Sequence, residues 1–225
     1  MNAKCIAIDG PAGSGKSTIA KEIAKLLNWT YLDTGAMYRA ITLKIMSEGI
    51  PFEDTKGIES MLENTSLDFK KSKLFLDGKD VSTEIRSEII DENVSAISQI
   101  KEIRSKLVQL QREYAALHSV VMDGRDIGTV VFPDAEFKFF LTASPEVRAK
   151  RRHQQLLEKG IFIPLKKILS EIVERDHKDS TRQISPLKMA RDAYLIDTDK
   201  LDKEQVLKAI MAHLNKPVPD DWEGF

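Results

Sequence analysis

The chain has 225 residues, enough for one elaborated domain with a substantial core, and 42% of them are hydrophobic against 31% charged. With 34 basic and 35 acidic side chains the net charge is −1, which excludes a disordered acidic tail and a strongly cationic nucleic-acid binder. No apolar run approaches the roughly 18 residues of a membrane span, and Asp9 interrupts the short run Cys5 to Ile8 before a signal-peptide core can form, so a soluble cytoplasmic protein is expected.

Lys4 to Ile8 reads as a strand, Gly10 to Gly15 as a glycine-rich turn, and Ile19, Ile23, Leu26 and Leu27 as the apolar stripe of a helix. Trp29 to Leu32 is a second strand. Met37, Ala40, Ile41 and Ile45 mark a second helix, which Gly49 and Pro51 end. This β-α-β-α opening predicts a parallel sheet covered by helices. From Pro51 to about Val94 the chain turns acidic and lysine-rich, and Leu74 to Leu76, Asp77-Gly78 and Lys79 to Val81 spell a hairpin with a type I′ turn. Residues 51–98 are therefore expected to form an insert, with Lys70, Lys71 and Lys73 on a solvated face. Ile100, Ile103, Leu107, Leu110 and Tyr114 predict a long helix leading into the strand Val120 to Met122. Phe137 to Thr142 is a further strand, followed by a helix to Gly160 opened by Ser144, Pro145 and Glu146. A helix over Pro164 to Asp176, a strand Tyr194 to Ile196, a helix Glu204 to Leu214 and a loose polar tail with Pro217 and Pro219 complete the chain. Cys5, the single cysteine, reads as core filler, and the four histidines lack zinc-ligand spacing.

Gly10-Pro11-Ala12-Gly13-Ser14-Gly15-Lys16-Ser17 fits GxxxxGK[ST] and lies between a strand and a helix start, where the mechanism of that motif requires it. Its glycines let successive N–H groups face one anion, the helix N-terminus adds partial positive charge, Lys16 reaches the β and γ phosphates, and Ser17 suits magnesium. Gly10 to Ser17, with Thr18, form the expected ATP site. The 11 arginines are outnumbered by 23 lysines, yet seven fall in three groups: Arg125; Arg148, Arg151 and Arg152; and Arg175, Arg182 and Arg191. Arg39 and Arg104 stand on helices before them. Planar guanidinium forks match phosphate oxygens in pairs, as a site holding a second phosphate against a triphosphate needs. For Arg151 and Arg152, beside Arg148 and Lys150, a solvated surface role is an equal reading.

Leu32-Asp33-Thr34-Gly35-Ala36-Met37-Tyr38-Arg39, Asp123-Gly124-Arg125-Asp126-Ile127-Gly128-Thr129, and Glu174-Arg175-Asp176 with Asp179, Ser180, Arg182 and Ser185-Pro186-Leu187 resemble the bacterial cytidylate kinases. The likeness runs from about residue 4 to 212 and is loosest over Phe52 to Lys73. It implies an α/β P-loop kinase: a central parallel sheet flanked by helices, an inserted monophosphate-binding subdomain (about 51–98) and a short lid (about 148–182). The implied reaction is transfer of the ATP γ-phosphoryl group to CMP or dCMP with magnesium. Arg39, Arg125 and Arg182 would hold the acceptor phosphate. Ser98, Arg104 and Asp126 would meet the cytosine, with Thr34 beside it, and Arg175 and Asp179 would approach the sugar. Lys16, Arg125 and Arg182 would carry catalysis by charge neutralisation, and Asp126 is cast in recognition, because an anionic acceptor phosphate demands no general base. The expected partners are nucleotides, with no nucleic acid and no membrane, and the protein is expected as a monomer. The alternatives are a small-metabolite kinase with a hydroxyl acceptor, and a nucleotide-dependent switch or nucleic-acid-binding module using Arg148 to Arg152.

Overall fold

The computed structural model describes residues 4–70, 73–216 and 218, without the side chain of Lys70. The expectations for the proline-containing tail, for Lys71 and for the Lys70 side chain lie outside the described residues. In chain order the elements are β1 (Cys5–Asp9), α1 (Lys16–Leu27), β2 (Thr30–Asp33), α2 (Thr34–Glu48), α3 (Thr55–Glu63), β3 (Leu67–Lys70), β4 (Lys73–Leu76), β5 (Lys79–Asp80), α4 (Glu88–Ile97), α5 (Lys101–Leu117), β6 (Val120–Gly124), β7 (Phe137–Thr142), α6 (Pro145–Glu158), α7 (Leu165–Thr181), β8 (Tyr194–Asp197) and α8 (Lys203–His213). A 3₁₀ turn at Glu84–Arg86 and a π-helical turn at Ile127–Val131 punctuate them. The chain divides into two compact units, Met1–Tyr31 with His118–Phe225, and Leu32–Leu117.

The first unit is built on a sheet of order β2-β6-β1-β7-β8, in which β1 pairs parallel with β6 and β7, and β7 parallel with β8. Strands covered on both faces cannot alternate apolar with polar, which is why Ile6, Ala7 and Ile8 are consecutive and all fully buried. Ile6 and Ile8 pack with Ile19 and Ile23 of α1, Val121, Phe139 and the α8 residues Leu207 and Ile210. Each such side chain contributes about 1.5–3 kcal/mol relative to exposure. Helix ends follow local chemistry. Ser144 caps α6 by accepting from the Val147 N–H with Pro145 in the first turn, and Asp202 and Gln205 form a capping box on α8. Helix α7 extends to Thr181, five residues beyond the expected Asp176, and so carries Asp179 on its last turns. Cys5 is half-buried in β1, and burial, then the Asp9 charge, pushes its thiol up to about 12, which leaves it unreactive.

The second unit joins α2, α3, α4 and α5 to the antiparallel sheet β3-β4-β5. Asp77 and Gly78 both have positive φ, 49° and 82°, as a type I′ turn requires. The turn is tethered: Lys44 of α2 donates to Asp77 Oδ2 at 2.5 Å and to the Asn64 carbonyl at 3.2 Å, while Asp77 Oδ1 accepts from the Ser66 N–H. Ala36, Ala40, Leu74, Leu76, Val81 and Ile85 form the core beneath it.

Candidate active site

Strand β1 delivers the chain to the phosphate loop. Gly10, Gly13 and Gly15 have φ of 145°, 79° and 92°, values that side chains on Cβ disfavour. At Gly10 space forbids one as well, since a Cβ there would lie 2.0 Å from the Leu141 carbonyl oxygen. Lys16, 5% exposed, curls back over the loop: Nζ donates to the Pro11 carbonyl at 2.6 Å, and the Ser14 hydroxyl donates to the same carbonyl at 3.1 Å. Burial, and then the neighbouring Arg125, with Arg175 adding to it, push the Lys16 ammonium down to about 7. Ser17 Oγ donates to Asp123 Oδ2, and Tyr31 Oη to Asp123 Oδ1, each at 2.7 Å. Asp123 ends an apolar run in β6, paired in register with Ile8 of β1. Sequence reasoning gave it no role. The available signal was a carboxylate at the carboxyl end of a buried strand, Val120-Val121-Met122-Asp123.

Four of the expected acceptor-site residues in this unit, with Asp126, form one charged cluster. Arg125 Nε donates to Asp179 Oδ2 at 2.8 Å, and Arg182 lies 3.6 Å from Asp126 Oδ1 and donates to the Ser185 carbonyl. Arg175 stands one helical turn before Asp179. Burial alone would raise the Asp179 carboxyl, but Arg125, Arg175 and Arg182 together hold it below the usual carboxylate range.

Arg148 and Arg151 serve the protein instead. Arg148, 2% exposed, donates through Nε to the Ala143 carbonyl at 2.8 Å, through Nη1 to the Ala12 carbonyl at 3.1 Å, and through both terminal nitrogens to Asp176. Arg151 holds the hydroxyl and carbonyl of Thr198. The second arginine group therefore ties α6 to the phosphate loop and to the end of β8.

The remaining expected residues belong to the second unit. Thr34 is buried at the start of α2. Arg39, one turn on, donates to the Ile85 carbonyl at 3.1 Å and to Asp91 of α4. Ser98 caps α4, and its hydroxyl turns back to the Ser95 carbonyl. Arg104, 3% exposed on α5, donates to the Ser98 carbonyl at 3.1 Å and lies over the Tyr38 ring with its guanidinium carbon 5.5 Å from the centroid. Tyr38 and Asp91 were not singled out from the sequence. Among the described residues no group of three or more histidine, cysteine or acidic side chains is placed to hold a metal ion, and no helix is long and apolar enough to cross a membrane.

A glycine loop at the end of the central strand of a parallel sheet, opening into a helix and carrying a buried lysine, defines a P-loop nucleotide-binding protein. The family model described as cytidylate kinase matches residues 6–216. A cytidylate kinase of Caldanaerobacter subterraneus subsp. tengcongensis is 53% identical over 211 residues, 94% of each chain. One of Fusobacterium nucleatum subsp. nucleatum is 52% identical over 94% of this chain and 97% of its own. This chain belongs to the cytidylate kinase family. Its fold is also like that of an uncharacterized protein from Eubacterium ventriosum, with a TM-score of 0.52 at 14% identity over 94% of this chain and 98% of that one.

Proposed function

We propose that the chain transfers the γ-phosphoryl group of ATP to the phosphate of CMP or dCMP, giving ADP and CDP or dCDP. The observation that carries this reading is the cluster in which Arg125 bonds Asp179 at 2.8 Å and Arg182 lies 3.6 Å from Asp126, with Arg175 also acting on Asp179 and with Arg125 and Arg175 close enough to Lys16 to disfavour its charge. Two unit negative charges about 4 Å apart repel by about 4 kcal/mol at an effective dielectric near 20, and an acceptor monophosphate set against a triphosphate makes several such pairs. A hydroxyl acceptor would need a carboxylate base and fewer cations. In the forward step an oxygen of the CMP phosphate attacks the γ-phosphorus in line, the bond to the β-γ bridging oxygen breaks, and ADP leaves with that electron pair. Lys16, Arg125 and Arg182 stabilise the spreading charge, and Arg39 shares in holding the acceptor phosphate.

The donor set suits magnesium: the Ser17 hydroxyl and Asp123 carboxylate offer hard oxygens, and they would hold the ion together with ATP phosphate oxygens. When bound, it supplies further charge neutralisation. Ser98, Arg104 and Asp126 read the cytosine edge, Thr34 lies beside it, and Arg175 and Asp179 approach the sugar. Residues 51–98 serve as the monophosphate-binding insert and 148–182 as a lid, whose turn between α6 and α7 exposes Ile161 and Phe162. The chain acts as a cytoplasmic monomer.

The test is kcat/KM for CMP, dCMP, UMP, AMP and GMP, in the native chain and in Asp126→Asn. UMP offers a carbonyl where CMP has its amino group, so a carboxylate at Asp126 would face another acceptor. A mispaired buried polar group costs roughly 1–3 kcal/mol, or about tenfold to over a hundredfold in preference for CMP. Equal use of CMP and AMP would refute the substrate, and equal losses on CMP and UMP in Asp126→Asn would refute the role of Asp126.

A further inference from the structure

Asp9 is the last residue of β1, directly before Gly10, and is only 4% exposed. It pairs in register with Gly124 on one side and Phe140 on the other, so its backbone is fixed in the centre of the sheet. Its two carboxylate oxygens are used separately: Oδ1 accepts from the Ile127 N–H at 2.8 Å and Oδ2 from the Gly128 N–H at 2.7 Å. Those are the first two N–H groups of the π-helical turn Ile127–Val131, a rare conformation that follows Arg125 and Asp126 without a break. A second observation bears on the same point. A Cβ on Gly128 would lie 3.1 Å from Lys138 Cδ and 3.4 Å from Asp9 Oδ2, so a side chain there would press on both Lys138 and the Asp9 carboxylate.

We infer that Asp9 is a positioning residue for the acceptor side of the reaction, clamping the Arg125–Asp126 segment at one register against the phosphate-loop strand. The inference rests on the reading above in which Arg125 and Asp126 hold CMP. Two converging N–H donors need two acceptor oxygens on one short side chain, which aspartate has and asparagine lacks: its amide nitrogen would meet one N–H as a second donor. The ionised form is kept against its surroundings. Burial pushes the carboxyl up to about 6, the two N–H groups pull it back, Asp126 on the clamped loop opposes ionisation and Lys16 from α1 favours it. Lys138 of β7, the other cation beside the turn, is engaged by Asp192 and the Pro133 carbonyl.

The experiment uses Asp9→Asn and, as a perturbation of the same clamp from the loop side, Gly128→Ala. Direct titration with ATP in the absence of acceptor gives a Kd, and steady-state rates give KM for CMP and kcat. The expected result is a rise of tenfold or more in KM for CMP and a fall in kcat, with the ATP Kd within about twofold of native. A purely structural role would reduce the amount of active enzyme, and with it the apparent kcat, but leave KM for CMP and the ATP Kd unchanged. An unchanged KM for CMP, or equal weakening of ATP and CMP, would overturn the inference, and Gly128→Ala decides it alone should Asp9→Asn not fold. If the native chain fails to phosphorylate CMP, the substrate reading falls instead, so the two failures are distinguishable.

Discussion

Replacing Arg148 by methionine separates two roles open to an arginine beside a phosphate loop. Its bonds run to the Ala12 and Ala143 carbonyls and, in a two-pronged pair, to Asp176, 28 residues further along. Methionine keeps most of the volume, so the loss is one of charge and hydrogen bonding. Removing one partner of a buried ion pair costs about 3–5 kcal/mol. The Asp176 side chain keeps 25% of its exposure and can regain some water, which favours the lower end, while two main-chain carbonyls that lose their donor add about 0.5–1.5 kcal/mol each. About 4 kcal/mol is the expected destabilisation, or a Tm lower by about 8–16 °C at this chain length. Urea and thermal unfolding of Arg148→Met, Asp176→Asn and the double variant form a cycle whose coupling should exceed about 2 kcal/mol. The KM for ATP should rise, because the Ala12 carbonyl loses its tether. A variant that melts within a few degrees of native yet loses kcat a hundredfold would refute this and return Arg148 to direct contact with phosphate.

Three further outcomes are expected. Lys16→Ala should lose about 3–4 kcal/mol of transition-state stabilisation, read as a loss of several hundredfold in kcat, and near-normal turnover by folded protein would contradict it. Because burial and the neighbouring arginines hold Lys16 down at about 7, and triphosphate oxygens favour the ammonium, ATP binding at pH 8 should take up protons and weaken as pH rises further. Calorimetry in buffers of differing ionisation heat measures this, and zero uptake would show Lys16 already charged. Gly10→Ala, with its Cβ 2.0 Å from a main-chain oxygen, should destabilise by more than about 4 kcal/mol. Gly15→Ala, where a Cβ meets nothing within 4 Å, should cost only the left-handed penalty of about 1–2 kcal/mol, and the reverse ranking in a denaturation series would count against the loop packing.

Features carried by neighbouring residues were legible in the sequence; those made by residues far apart were not. The phosphate loop, the buried strands, the Asp77-Gly78 turn and the Ser144-Pro145 helix start each rest on a few consecutive residues whose local energetics settle the conformation. Helices α3 and α4 are short enough that their turns were absorbed into the reading of an insert, although Asp54 caps α3 by accepting from the Gly57 N–H. Helix α7 was read five residues short because His177, Lys178, Asp179 and Ser180 interrupt the apolar stripe that marks its start. Which donor each carboxylate faces could not be read at all. Asp123 meets Ser17 across 106 positions, and Asp9 meets Gly128 across 119. Hence Arg148, grouped by sequence with phosphate-binding candidates, turned out to hold main-chain carbonyls.

The arginines assigned to the acceptor phosphate share one arrangement: Arg125 rests on Asp179, Arg182 near Asp126, and Arg39 on Asp91. A guanidinium buried alone would be costly, so each carboxylate lowers the energy of its arginine. Asp179 accepts from Nε of Arg125 at 2.8 Å, and Arg182 lies 3.6 Å from Asp126, a charge contact too long for a hydrogen bond. A phosphate, with three oxygens and up to two charges, can form several short charge-assisted bonds with guanidinium groups so placed. Binding then exchanges one anion for a better one around side chains already ordered, and the rotamer entropy that would otherwise oppose capture of CMP has been lost at folding. The same argument limits affinity, since every arginine released from a carboxylate leaves that carboxylate to be rehydrated or to find a new donor. Under the proposed assignment the cytosine amino group would be that donor for Asp126 and the sugar hydroxyls for Asp179.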